Sequence, residues 1–291
     1  MPEKMQNEKN QTQKGTLYLV GTPIGNLADI SERARKVLSE ADFIAAEDTR
    51  NAMKLLSLFG IQKKLVSYFE HNQKERGEQI LQRLRAGETC ALITDAGMPA
   101  ISDPGEGLVR LCVENDIPVT TVPGPNAALT ALTLSALSTA RFVFEGFLPP
   151  PSNKSERRKR LEALKREERT VLLHEAPHKL KNTLADLCDT LGEDRRIALC
   201  RELTKLNEQV LHLTLGEACA YFSEHEPRGE FVLVVEGAPA IVEDAFWKSL
   251  SVPDHVRHYM AQGLAKNDAI KAAAKDRGVP KNEIYQEALS L

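Results

Sequence analysis

The sequence predicts an α/β fold in two domains, with a mostly parallel sheet in the first, a mixed sheet in the second and a small helical segment after them. Three observations carry this. Between Thr16 and Pro125, short apolar runs alternate with helical stretches, and each run ends in glycine, proline or acidic residues. That succession is the pattern of a parallel sheet with crossover helices. Further on, the apolar runs Arg196–Cys200 and Glu208–Thr214 are joined by a short link, which suits antiparallel or mixed pairing. Beyond Gly237-Ala238-Pro239 the pattern becomes helical. The expected divisions are a disordered tail over 1–14, α/β domains over 15–125 and 126–238, and a helical region over 243–291.

Composition narrows the function class. The chain has 291 residues, 42% hydrophobic and 27% charged, as in ordinary globular proteins. A net charge of −3 argues against a uniformly basic nucleic-acid binder but leaves room for local basic patches. The five cysteines are scattered and form no CxxC pair, which reads as buried thiols in a reducing cytoplasm. No apolar run approaches the roughly 20 residues that span a bilayer, so no membrane partner is expected. The polar start, MPEKMQNEKNQTQKG, lacks the apolar core of a secretory signal.

The first strand is Thr16–Val20, and Gly21-Thr22-Pro23-Ile24-Gly25-Asn26 follows at once. Strand, glycine loop and helix suggest a phosphate or nucleotide cradle or a plain turn, although the spacing fits neither GxGxxG nor a Walker A loop. Asp29 or Ser31 is placed to cap the next helix. Phe43–Ala46 is the second strand, ending in Glu47-Asp48-Thr49-Arg50. Glu47 or Asp48 suits a base; equally, either can cap a helix or pair with Arg50. A third strand, Lys64–Tyr68, leads to His71, a hydrogen-bonding loop residue or a second candidate base.

The central stretch is Ala91–Gly107, ALITDAGMPAISDPGEG. Its apolar start reads as a buried strand, and its prolines and glycines force an ordered loop before the next helix. In open α/β sheets ligands bind just beyond the carboxyl ends of strands. Asp95 there can take a ribose hydroxyl or an ammonium group, while glycines let backbone approach a ligand. Pro123-Gly124-Pro125-Asn126 follows the fifth strand and opens a small-residue helix whose amides suit a polar group.

In the second half, Ser152–Arg169 concentrates basic residues with interleaved glutamates. Lys154–Arg160 carries a clear positive excess, which fits either a solvated helix or phosphate-backbone contacts. His174 and His178 lie four apart, but Pro177 between them argues against a zinc-binding helix, and no metal site is expected. Pro253–Gly263, Lys266–Arg277 and Pro280–Leu289 read as three short amphipathic helices. Gly278-Val279-Pro280 gives them a helix-turn-helix look, yet the last helix offers little base-reading chemistry, so a packing or substrate-docking bundle fits as well as a DNA reader.

The strand-end segments VGTPIGNL, AAEDTR, ITDAGMPAISDPG, VPGPNA, HEAPHK, RELTK and GEFVLVVEG occur in this order from Val20 to Gly237. Together they resemble the tetrapyrrole-methylase superfamily, the class III methyltransferases. Within it they are most similar to the ribosomal RNA branch, which 2′-O-methylates a cytidine of 16S rRNA. The porphyrin-precursor branch opens with a GxGxGD-like loop, where this chain has GTPIGN.

The resemblance implies a homodimer with S-adenosylmethionine (SAM) in the cleft between two α/β domains, no metal, and 16S rRNA or the small ribosomal subunit as partner rather than DNA. Carried over residue by residue, the SAM site would comprise Pro23, Asp95, Gly97, Met98, Ser102, Asn126 and Ala127, with Leu173, Leu203 and Thr204 from the second domain. Lys154, Arg157, Arg158 and Lys159 are expected to bind RNA phosphates. A ribose hydroxyl must be aligned with the methyl group and lose its proton. Glu47 or Asp48 is the expected proton acceptor or sugar-orienting group, Arg50 the holder of an adjacent phosphate or carboxylate, and His71 the second choice of base. The alternatives are methylation of a tetrapyrrole-like small molecule and a non-catalytic SAM- or RNA-binding module.

Overall fold

A computed structural model describes residues 11–239 and 246–288. Most of the tail expected over 1–14 lies outside the described residues, as do 240–245 and 289–291. Order begins before Gly15: the Gln13 amide donates to the Tyr18 hydroxyl and its carbonyl accepts from Thr89 Oγ1.

The first sheet is built from β1 (Leu17–Val20), β2 (Phe43–Ala46), β3 (Lys64–Ser67), β4 (Cys90–Ile93) and β5 (Val119–Val122), in the order β3-β2-β4-β1-β5. All its pairings are parallel. The connecting helices are α1 (Glu32–Glu40), α2 (Thr49–Leu58), α3 (Gln73–Arg85) and α4 (Glu106–Glu114). Helix starts follow from caps: Ser31 Oγ accepts from the Ala34 amide and Asp48 Oδ1 from the Arg50 amide.

Strand side chains alternate between two cores. Tyr18, Val20, Ile44, Ala46, Ala91 and Ile93 pack under α1 and α2. Leu17, Leu19, Phe43, Ala45, Cys90 and Leu92 pack under α3 and α4. With both faces covered, the inner strands β1, β2 and β4 are buried at every position, which is why they read as unbroken apolar runs. The helices after β1 and β2 thus cover one face and the helix after β4 the other. β4 lies between β1 and β2, so the chain diverges to opposite faces on both of its sides. The crevice of an open α/β sheet opens at such a reversal, beyond the carboxyl ends.

The second sheet comprises β6 (Phe142–Phe147), β7 (Thr170–Glu175), β8 (Arg196–Arg201), β9 (Gln209–Thr214) and β10 (Phe231–Val235). Its order is β6-β7-β10-β8-β9, with β6 and β7 parallel and every other pair antiparallel. The expected mixed sheet is present, and the last strand occupies its centre. α6 (Lys154–Leu164), α7 (Pro177–Leu191) and α8 (Leu215–Glu224) cover one face through Leu161, Leu164, Leu180, Leu184, Leu187 and Phe222. On the other face lies α5 (Ala127–Leu134), with Ala128, Ala131 and Leu132 against Leu172, Ala198, Cys200, Val232 and Val234. Ile24, from the loop after β1, joins that core and ties the two sheets together.

Residues 239–291 form a separate compact unit. Its described helices are α9 (Val252–Ala261), α10 (Lys266–Arg277) and α11 (Lys281–Glu287), and Gly278 closes α10 at φ 65°. Val256, Ala269, Ile270, Ala273 and Ile284 make its core. His255 is fully buried there. Arg277 Nε, which can only donate, meets His255 Nδ1 at 3.2 Å, so Nε2 carries the proton toward Asp276 Oδ2 at 3.2 Å. Burial pushes the His255 pKa down, in keeping with a neutral ring.

Candidate active site

Three loops at the carboxyl edge of the first sheet are locked together. Thr22 and Gly97 exchange backbone hydrogen bonds, N to O, at 2.9 and 3.1 Å. Gly21 and Gly124 touch backbone to backbone: a Cβ on Gly124 would lie 2.8 Å from Gly21 Cα. Glycine is therefore required by close approach at both positions. The central loop holds Ala100 at φ 67° and Ser102 at φ 63°, a conformation costly for residues with a side chain. Across the gap, Glu202 (φ 49°) and Thr204 (φ 66°) show the same strain in the loop after β8. The two loop sets meet where Gly25 approaches Lys205 and Thr204. Gly146, in the bulge of β6, lies against Ser102.

Between them opens a cavity of about 480 Å³. The first sheet contributes the loops after β1, β4 and β5, and the second contributes the ends of β6, β7 and β8 and the start of β10. Of the residues expected to hold the cofactor, Asp95, Gly97, Met98, Ser102, Asn126, Ala127 and Leu203 line it. Pro23 is buried between Thr22 and the lining residue Ile24, without lining the cavity itself. Thr204 also lies off the wall, its buried Oγ1 without a partner. The expectation for Leu173 needs correction. Its side chain alternates onto the opposite face of β7 and packs in the core under α6–α8, and the residue does not line the cavity.

The four expected catalytic residues stand at the tips of β2 and β3, and none of them lines the cavity. Asp48 caps α2 and binds Arg50 at 2.7 Å, and these bonds hold its carboxyl down at about 2. Such a group is a weak proton acceptor at neutral pH. Arg50 is spent on that pair. His71 is exposed in the 3-10 turn Glu70–Asn72, edge-on to Phe69. Glu47 is half-buried; burial, and then the charges of Asp95, Asp48 and Glu70, push its pKa up.

Several lining residues were not expected in a binding site from the sequence. Asp103 is half-buried in the wall, its pKa raised to about 6 by burial and by the Glu47 and Asp95 charges. His174 stands edge-on to Phe144 and Phe147, its buried Nε2 unpartnered, and burial lowers its pKa. Glu175 is buried and satisfied, accepting from the Ala176 amide and from Thr183 Oγ1. Lys205 Nζ clasps Glu202 at 2.9 Å and Glu230 at 3.0 Å. Pro177 begins α7 and separates His174 from His178 in the chain.

The basic helix divides in two. Lys154, Arg158 and Lys159 are exposed and enter no ion pair among the described residues. Arg157 does not belong with them and is corrected here: it is only 6% exposed. Its Nε donates to Asp186 at 2.6 Å, and the other nitrogens donate to the Pro149 carbonyl at 2.8 Å and Thr183 Oγ1 at 2.9 Å. The spacing of Arg157, Leu161 and Leu164 already put this arginine on the buried stripe of α6.

A family model for tetrapyrrole (corrin/porphyrin) methylases matches residues 16–219. The chain belongs to the tetrapyrrole methylase family. Within that family it is 50% identical to the ribosomal RNA small subunit methyltransferase I of Halalkalibacterium halodurans, over 96% of each chain. It is 44% identical to the protein of the same name from Bacillus subtilis, over 98% of each. Uroporphyrin-III C-methyltransferase from Thermus thermophilus, solved with S-adenosylhomocysteine, superposes with a TM-score of 0.54 at 20% identity. That alignment covers 76% of this chain and 97% of the other, and it shows the shared tetrapyrrole methylase fold.

Proposed function

We propose that this protein transfers the methyl group of SAM to the 2′-hydroxyl of a cytidine ribose in 16S rRNA. The observation that carries this reading is the near-full-length identity to relatives named for methylation of small-subunit ribosomal RNA. The cavity fits the cofactor in size and chemistry. About 480 Å³ suits a small organic molecule, apolar walls suit adenine, and carboxylates suit a cationic donor. Asp95, Gly97, Met98, Ser102, Asn126, Ala127 and Leu203 would hold it, with Pro23 and Thr204 buttressing their loops.

When bound, SAM supplies an electrophilic methyl group, and its sulfur leaves as a neutral thioether, so the protein needs no acid. The chain's own task is to align the hydroxyl and take its proton. Thr22, Gly97, Gly21 and Gly124 fix the loops that do the aligning. Lys154, Arg158 and Lys159 offer exposed cations for RNA phosphates, the role first expected of Arg157 as well. A cytoplasmic homodimer belongs to the same reading, and light scattering of the purified chain tests the dimer.

The decisive experiment incubates the protein with tritiated SAM and small ribosomal subunits, naked rRNA or a porphyrin precursor. The expected outcome is label in 16S rRNA, at a cytidine whose 3′ linkage resists alkali. Label in the porphyrin precursor alone would refute the reading, and label in none would leave a binding module.

A further inference from the structure

The carboxylates at the edge of the first sheet are not equivalent. Asp48 is consumed by its cap and by Arg50. Asp95 lines the cavity, but its Oδ2 accepts from Asn51 Nδ2 at 2.8 Å. Glu47 lies off the wall. Asp103 lines the cavity with the neighbouring Thr94 hydroxyl as its hydrogen-bond donor among the described residues. That hydroxyl is buried, and its hydrogen bond draws the Asp103 pKa partly back down. On the opposite wall Glu175 has both oxygens bonded and Glu202 holds Lys205.

We propose that Asp103 accepts the proton of the substrate hydroxyl. The assignment rests on the methyl-transfer reading above. As the oxygen–carbon bond forms, the O–H electron pair stays on oxygen. The proton passes to an Asp103 carboxylate oxygen, which becomes a neutral acid and later loses that proton to water. A carboxyl raised to about 6 is still ionised at neutral pH and holds a proton better than an ordinary aspartate. The charged groups facing it are Glu47 from the β2 tip and Asp95 from its own loop. Across the cavity stand His174, His178, Glu175, Glu202, Lys205 and Glu230. His174 is the competing acceptor, because its Nε2 is unpartnered.

The test compares the wild type with Asp103→Asn, Glu47→Gln and His174→Gln. Single-turnover methyl transfer to small subunits is read against pH, S-adenosylhomocysteine binding by calorimetry, and aspartate carboxyl titration by carbon NMR. The wild type should show one aspartate midpoint near 6 and a rate that falls below that pH. Asp103→Asn should remove that midpoint and lower the rate by about a hundredfold or more, with S-adenosylhomocysteine affinity within threefold. Glu47→Gln should move the midpoint downward, because it removes a like charge. Retained S-adenosylhomocysteine binding marks each variant as folded. Should Asp103→Asn fail to bind, the Glu47→Gln shift decides alone. An Asp103→Asn rate equal to wild type, an unmoved midpoint in Glu47→Gln, or a pH limb that disappears with His174→Gln would each overturn the assignment. Wild type inert on every substrate would instead sink the methyl-transfer reading and leave the NMR midpoint standing.

Discussion

Replacing Arg157 by Met separates a structural arginine from an RNA-binding one. In the wild type its guanidinium donates to Asp186, to the Pro149 carbonyl and to Thr183, joining α6 to α7 and to the chain before it. Breaking a buried ion pair costs about 3–5 kcal/mol when the orphaned partner stays buried. Asp186 is 41% exposed on its side chain and rehydrates, which favours the lower end. Methionine refills most of the volume but leaves the Pro149 carbonyl and Thr183 short of a donor, so about 3 kcal/mol is expected. For a domain of this size that corresponds to a fall in Tm of about 6–12 °C. The assay pairs thermal unfolding with RNA affinity measured across a salt series. Arg157→Met should melt early yet keep the wild-type salt slope below its melting point. An unchanged Tm with a shallower salt slope would refute this account and return Arg157 to the RNA surface.

Neutralising Lys154, Arg158 and Lys159 together should do the reverse, leaving Tm in place and lowering the slope of log affinity against log salt by about 2. SAM affinity, followed by calorimetry, should not change. Gly124→Ala drives a methyl group into the Gly21 backbone, which cannot swing aside, so a loss of about 1–3 kcal/mol is expected in denaturant titration. SAM affinity should fall with it, because the same contact shapes the cavity. In the C-terminal unit, the pKa of His255 is lowered by burial. Its contribution to stability is therefore full above the unfolded value of about 6.5 and is lost as pH falls through the lower folded value. Trp247, the single tryptophan, stacks on the His255 ring at 12° and should report this as a fluorescence change with a midpoint below 6.5. A midpoint at or above that value would contradict burial as the dominant effect.

Much of the fold was legible because punctuation and burial act locally. β2 was expected at Phe43–Ala46 and lies there, since apolar runs covered on both faces end abruptly at polar tips. The position of β10 was not legible: an unbroken apolar run says that Phe231–Val235 is a strand, but nothing local says that it inserts between β7 and β8. At the site, Asp95, Gly97 and Asn126 could be found because glycine, proline and cap residues mark loops. The left-handed backbone of Ala100 and Ser102 could not, since it is imposed by neighbouring loops and not by residue type. Asp103 was in plain view within SDPG, but the charges of Glu47 and Asp95 gather around it only once β2 and β4 lie side by side. Leu173 shows the opposite failure, a motif match whose side chain strand parity turns away from the cavity.

The central place of β10 has a consequence for synthesis. The first sheet has all of its strands once Val122 has left the ribosome. The second has no middle until residues 231–235 emerge, because β7 and β8 each pair with β10 and not with each other. A nascent chain halted before Phe231 thus carries two unjoined pairs of strands and lacks one wall of the cleft. The loops of the first sheet can take shape early, but the cleft is complete only after nearly the whole of the second domain has been made.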